Sequence, residues 1–223
     1  MTKNEMTTYY AKRASEYERI YQKPERQEDL KRLQATIAGS FEGRNLLEVA
    51  CGTGYWTQFA CKSAQSIVAT DYNEVVLDIA REKDYGSCPI TFIRSDAYTL
   101  DNVIGPFSAA LVGFWWSHVP KAKLSGFLEV LHSKLSNGAT VVTLDNRYVE
   151  GSSTPISRID DEGNTYQIRN LSDGSEHEVL KNFPARHEFV KRIEQLSEGS
   201  ESIELDYFWL AQYTMKGNAE QQL

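Results

Sequence analysis

The sequence predicts an α/β fold: a doubly wound, mostly parallel sheet with helices on both faces. Three observations carry that expectation. Between residues 44 and 145, short apolar runs alternate with helical patterns across short connections. The runs lack a polar face, as strands covered on both sides do. The strand ends carry glycine or acid: Gly52 and Gly54, then Asp71, Asp96 and Asp145.

The chain opens with helical spacing. Tyr10, Ala14, Tyr17 and Tyr21 recur first, then Leu30, Leu33 and Ile37 follow Pro24, a residue suited to a helix's first turn. Gly39 and Gly43 close this region. Leu46-Leu47-Glu48-Val49 reads as the first strand, running into Cys51-Gly52-Thr53-Gly54, with residues 55–64 helical behind it. A second strand over 66–70 ends at Asp71, and Asn73 is placed to cap a helix carrying Val75, Val76, Ile79 and Ala80. Residues 90–93 and 107–112 give the third and fourth strands. Leu124, Phe127, Leu128, Leu131 and Leu135 form a helical stripe that Asn137-Gly138 is expected to end, before a fifth strand over 139–144. Past Asp145 the rhythm changes. Residues 146–164 are polar and irregular, and Ser172-Asp173-Gly174-Ser175 reads as the turn of a β-hairpin. Pro184 opens a further helix with Phe189, Ile193 and Leu196 on one face. Two strands, 203–205 and 208–213, complete an expected sheet of seven.

The 223 residues suit one domain with a sizeable core. Its expected parts are a helical lid (1–43), a ligand-binding core (44–145), a cap (146–183), and a closing helix and strands (184–216). Apolar residues at 41% and charged residues at 25% exclude a mainly disordered chain. No run reaches the roughly 20 apolar residues of a spanning helix, and Met1-Thr2-Lys3-Asn4-Glu5 has no signal core behind it. Three cysteines without a CxxC pair argue against a disulfide framework or zinc, and suit a reducing cytoplasm. The net charge of −7 weighs against general nucleic-acid binding. Neither a membrane nor a nucleic acid is an expected partner, and the chain is expected as a monomer or homodimer.

Ligands of open parallel sheets bind at the carboxyl ends of the strands, near the switch point. Gly52-x-Gly54 with an acid nineteen residues beyond Gly52 suits a dinucleotide fingerprint. The third glycine is missing, however: Thr57 stands there, behind Tyr55 and Trp56. Glu48 also lies ahead of the loop, where it would repel a pyrophosphate. A ligand without phosphate removes the conflict. S-adenosylmethionine offers a ribose diol to Asp71, an adenine amino group to Asp96 and a cationic methionine end to Glu48.

The stretch from Leu46 to Gly54, together with Asp71-Tyr72-Asn73 and Ser95-Asp96-Ala97, resembles the motifs of class I S-adenosylmethionine-dependent methyltransferases. Trp116-Ser117-His118-Val119-Pro120 through Ala139 resembles the loop, helix and fifth-strand entry of small-molecule members, with Asn137-Gly138 where many have Pro-Gly-Gly. The likeness covers roughly residues 9–145. It implies a Rossmann-like fold, S-adenosylmethionine as cofactor and S-adenosylhomocysteine as product. It implies cofactor contacts from Glu48, Ala50, Gly52, Gly54 and Trp56 at the first loop, Asp71 and Tyr72 at the second strand end, and Asp96 and Ala97 at the third. Phe114 and the lid residue Tyr10, beside Tyr9 and Tyr17, complete that set. The hairpin around Leu171-Ser172-Asp173-Gly174 resembles the tail of small-molecule members, including phosphonate O-methyltransferases. No Asp/Asn-Pro-Pro-Tyr/Phe sequence follows the fourth strand, which argues for a small acceptor.

Each candidate has a plainer reading. Asp71 and Asp96 also suit helix caps or loop acids, and Glu48 a pair with Arg44 or Lys62. His118 is a candidate general base or a loop histidine ordering the turn before Pro120. His132, His177 and His187 are expected at the surface. Of Trp115 and Trp116, one is expected to face the site and the other to pack. Tyr21, Arg147, Arg169 and Lys181 are the remaining acceptor candidates, because arginine recognises anions bidentately. Residues 146–183 nonetheless hold seven acids against four basic residues, so the segment is no basic patch. No metal cluster is visible. The leading expectation is methyl transfer to oxygen of a small anionic or hydroxylated molecule. A nicotinamide oxidoreductase and a non-catalytic cofactor-binding module stay open as alternatives.

Overall fold

The computed structural model describes residue 18 and residues 20–216. The expected first helix, with the lid candidates Tyr9, Tyr10 and Tyr17, lies outside the described residues. The strands are β1 (Asn45–Val49), β2 (Ser66–Asp71), β3 (Ile90–Arg94), β4 (Phe107–Gly113), β5 (Leu135–Asn146), β6 (Arg158–Ile159), β7 (Thr165–Asn170), β8 (Glu176–Leu180), β9 (Ser197–Glu204) and β10 (Phe208–Met215). The helices are α1 (Gln27–Gly39), α2 (Thr57–Ala60), α3 (Glu74–Arg81), α4 (Leu124–Ser133) and α5 (Arg186–Leu196).

Among the described residues, seven strands form one sheet in the order β3-β2-β1-β4-β5-β10-β9. β1 to β5 are parallel, and β10 runs antiparallel to both β5 and β9. The strand alternation divides the core into two layers. In β1, Leu46 joins the layer of Leu30, Leu33 and Ile37 from α1, whereas Leu47 joins that of Phe127, Leu128 and Leu131 from α4. Each such buried side chain contributes roughly 1.5–3 kcal/mol, so both faces of β1 must be covered. β2 and β4 leave β1 in opposite directions, which opens a crevice at its carboxyl end.

Local chemistry explains most boundaries. Asn73 caps α3, its side chain accepting from Val75 N at 3.1 Å. The helix expected over 55–64 is shorter: Lys62 and Ser63 bond back three residues, to Phe59 and Ala60, and wind the chain out of the α form. The pair Asn137-Gly138 does not end a helix. It lies inside β5, with Gly138 at φ +72°, where the register against β4 jumps from Phe107↔Leu135 to Ala109↔Thr140. The hairpin β7–β8 forms as expected and gains β6 as a third strand. His132 is not a surface residue: it is half-buried, and its Nε2 lies 2.7 Å from the Tyr213 hydroxyl. No helix among the described residues is long and apolar enough to cross a membrane.

Candidate functional site

The loop after β1 is built by backbone geometry. Ala50, Gly52 and Gly54 all have positive φ, at 57°, 56° and 75°. A Cβ at Gly54 would lie 2.2 Å from the Tyr85 hydroxyl, which donates to the Ala80 carbonyl at 2.8 Å. This glycine therefore admits Tyr85, a packing reason the sequence did not disclose.

Asp71 organises the loop from the end of β2. One carboxylate oxygen accepts from Gly52 N at 3.0 Å, the other from Asn73 N at 2.9 Å. Its carbonyl accepts from Ser95 N at 2.9 Å, which sets the ends of β2 and β3 side by side. Loss of water around the carboxylate raises its pKa to about 6, against the lowering effect of those amides. Asp96 is half-buried at the neighbouring strand end and accepts from Tyr98 N at 3.0 Å. Both acids thus shape their loops as caps do. Ala97 packs into the core beside them at 8% exposure, and Tyr72 lies under the Arg94 guanidinium, 5.4 Å from its ring centre.

Glu48 pairs with neither Arg44 nor Lys62. It is buried at 2% exposure, and Thr57 Oγ1 donates to it at 2.7 Å. Burial pushes its pKa up to about 8, with Asp71 adding to the shift, so it carries a proton at neutral pH. The residue in the place of the third glycine thus serves the acid beneath the loop.

Trp56, expected at the cofactor, belongs to an aromatic cluster. Its indole N–H donates to the Tyr21 hydroxyl at 3.1 Å, and its ring stacks on Phe114. Tyr21 itself stacks on Tyr55 with centroids 3.8 Å apart, so it packs as well. Phe114 has φ +59° and is held by its N–H to the Leu144 carbonyl. Of the two neighbouring tryptophans, Trp116 is core, edge-on to Trp209, whereas Trp115 is half-buried against Tyr98 and His118.

Phe114 and His118 also line a cleft beneath the cap. It contains Lys23, Arg26, Arg169 and Lys181, and no carboxylate among its described lining residues. Arg26 is buried at 7% exposure. Its guanidinium donates to Ser152 Oγ at 2.9 Å, the Ser152 carbonyl at 3.2 Å and Asn146 Oδ1 at 3.4 Å. No carboxylate lies within ion-pair distance of it among the described residues. Lys181 is buried too: it donates to Ser117 Oγ at 2.6 Å and pairs with Asp145 at 3.0 Å. His118 Nδ1 lies 2.8 Å from the Leu180 carbonyl. Burial, aided by the Lys181 charge, holds its pKa well below the usual histidine range.

Arg169 and Lys181 line the same cleft, whereas Arg147 does not. It pairs with Glu204 at 2.8 Å and reaches the Leu205 carbonyl, outside the cleft. Lys23 and Arg26 were missed. A signal for Arg26 existed: it shares the apolar stripe of Leu30, Leu33 and Ile37, where a cation is out of place.

Residues 46–138 match a family profile described as a methyltransferase domain. The demethylmenaquinone methyltransferase of Staphylococcus aureus is 28% identical over 110 residues, 48% of this chain and 45% of that protein. The chain thus spans about half the length of the curated relatives it matches. Among solved structures, the DhpI–SAH complex superposes with a TM-score of 0.73 at 25% identity, covering 96% of both chains. The DhpI–SAM–HEP complex gives 0.73 at 24%, covering 95% of this chain and 98% of that one. Residues 46–138 are thus similar to a methyltransferase domain, and the fold to that of structures solved with SAH and SAM. The glycine loop and both strand-end acids lie inside the matched stretch, whereas the cleft's four cations lie outside it.

Proposed function

We propose that this methyltransferase moves the methyl group of S-adenosylmethionine to an ionised oxygen of a small anionic acceptor held in the cationic cleft. Arg26 carries the reading. Among the described residues no carboxylate contacts this buried guanidinium, and burial outweighs the more distant charges of Glu25 and Asp29, so an anionic ligand would add the compensation they leave incomplete.

The residues at the sheet edge fit the cofactor. Asp71 accepts from the ribose hydroxyls and Asp96 from the adenine amino group. Glu48, beneath the loop, would favour the cationic methionine end by releasing its proton to solvent when the cofactor binds. When bound, S-adenosylmethionine supplies an electrophilic methyl carbon on a sulfonium and leaves as S-adenosylhomocysteine. The acceptor oxygen provides the electron pair of the new C–O bond, and the old C–S pair stays on sulfur. An ionised oxygen has no proton to lose. His118 suits that demand, because its lowered pKa makes it a weak base; it orders the cleft through Leu180 instead. The protein's part is alignment, worth on the order of 7–11 kcal/mol in well-oriented reactions.

The test is release of S-adenosylhomocysteine across separate pools of carboxylates, phosphonates, phenols and amines. Turnover confined to the anionic pools is expected. Turnover confined to phenols or amines would sink the anionic reading and return attention to His118.

A further inference from the structure

We propose that Gln167 is a positioning residue that sets the charge selectivity of the acceptor cleft, holding the Arg169 guanidinium through a neutral carboxamide; this rests on the anionic-acceptor reading above. Gln167 is fully buried at 0% exposure and lines the cleft from β7. Its Oε1 accepts from Arg169 Nη2 at 2.5 Å, and its Nε2 donates to the Thr154 carbonyl. Thr154 closes the ring, its Oγ1 accepting from Arg169 Nη1 at 3.0 Å. Residues 167 and 169 are two apart on one strand, so both side chains leave the same face of the hairpin.

The choice of an amide here has a consequence. A carboxylate would bind a guanidinium more strongly, but it would also cancel its charge and lose the donor that Thr154 accepts. The amide fixes the fork and adds no charge. Arg26, which lines the same cleft, is likewise held by the Asn146 amide and by the Ser152 hydroxyl, which in turn donates to Glu25. An amide at 167 thus fixes the Arg169 fork without adding a negative charge to the cleft. Discrimination then follows the negative charge of the acceptor.

The experiment compares wild type, Gln167→Met and Gln167→Glu. Inorganic phosphate is titrated calorimetrically into each protein with S-adenosylhomocysteine present. Turnover is followed on alkylphosphonates, alkylcarboxylates and uncharged alcohols. Gln167→Met, which loosens Arg169 without changing charge, is expected to weaken phosphate binding about two- to tenfold. Gln167→Glu is expected to weaken it more than tenfold and to flatten its dependence on ionic strength. The KM for S-adenosylmethionine should stay unchanged in both. Equal losses in the two variants, or phosphate binding by Gln167→Glu at wild-type strength, would overturn the proposal and leave the anionic reading intact. A wild-type protein that neither binds phosphate nor methylates anionic acceptors would overturn that reading itself. If Gln167→Glu does not fold, Gln167→Met and Thr154→Val decide the matter. Both should weaken phosphate binding at constant KM for S-adenosylmethionine, and unmoved binding in both refutes the role.

Discussion

Replacing Arg26 by Gln gives the sharpest test of the cleft. The substitution keeps a polar side chain of similar reach and removes one positive charge. In the structure that charge is buried, and its hydrogen bonds among the described residues go to Ser152 and Asn146, with Glu25 and Asp29 acting on it through charge alone. A charge-assisted hydrogen bond from Arg26 to the acceptor is worth about 1.5–3 kcal/mol. Losing it should lower kcat/KM for an anionic acceptor by about 10- to 150-fold. The fold should suffer little. The lost contacts to Ser152 and Asn146 are worth about 1 kcal/mol each, and relief of the buried charge offsets them. The stacking of Arg26 over Tyr207 and Phe208 adds a modest packing loss. The assay is steady-state release of S-adenosylhomocysteine with the acceptor varied at saturating S-adenosylmethionine, alongside thermal melts. The predicted pattern is a raised acceptor KM with an unchanged KM for S-adenosylmethionine. A kcat/KM within twofold of wild type would refute the assignment of Arg26 to the acceptor. An equal loss for uncharged acceptors would refute the electrostatic reasoning.

Three further outcomes are expected. Gly54→Ala places a Cβ 2.2 Å from the Tyr85 hydroxyl at φ +75°, and should cost about 1–3 kcal/mol by chemical denaturation; adding Tyr85→Phe should recover part of the loss, and no recovery would show the clash is not the cause. Glu48 has its pKa raised from the ordinary 4.5 to about 8, so its share of stability is complete below about pH 4.5 and lost as pH rises toward about 8, by roughly 1.4 kcal/mol per unit. Glu48→Gln lacks that slope, and its melting temperature should fall less than wild type between pH 5 and pH 8; parallel curves would contradict a buried, protonated Glu48. Lys181→Met leaves Asp145 buried and uncompensated, and should destabilise by about 3–5 kcal/mol in urea. Adding Asp145→Asn to that variant should restore much of the loss, and failure to do so would place the cost in packing.

The order of strands and helices was legible because it rests on local patterns. Apolar runs such as Leu46-Leu47 and the α4 stripe of Leu124, Phe127, Leu128 and Leu131 cannot be satisfied without a cover on each face. Asn73 signalled its cap through its own side chain. Asn137-Gly138 misled, because a glycine at positive φ suits a helix end and a bulged strand equally well, and only the β4 partner chose. Asp71 and Asp96 were legible by position, since strand ends are fixed by the same alternation that makes the sheet. Glu48 was found, but its protonated state follows from burial, which has no local signature.

The cationic cleft stands at the other extreme. It joins Arg26 ahead of α1, Gln167 and Arg169 on β7, and Lys181 past β8, segments up to 155 positions apart in the chain. The acidic balance of residues 146–183 concealed it, because Arg158 is drawn outward by Glu178 and Arg147 by Glu204, while Arg169 turns inward. The amino-acid sequence by itself determined the doubly wound sheet and the loop and acids at its edge, because alternation, capping and turn chemistry act over a few residues. Which cations share a cavity, and which acids keep their protons, was decided only by the tertiary structure. Charge and solvation depend on neighbours that the chain brings together from a distance.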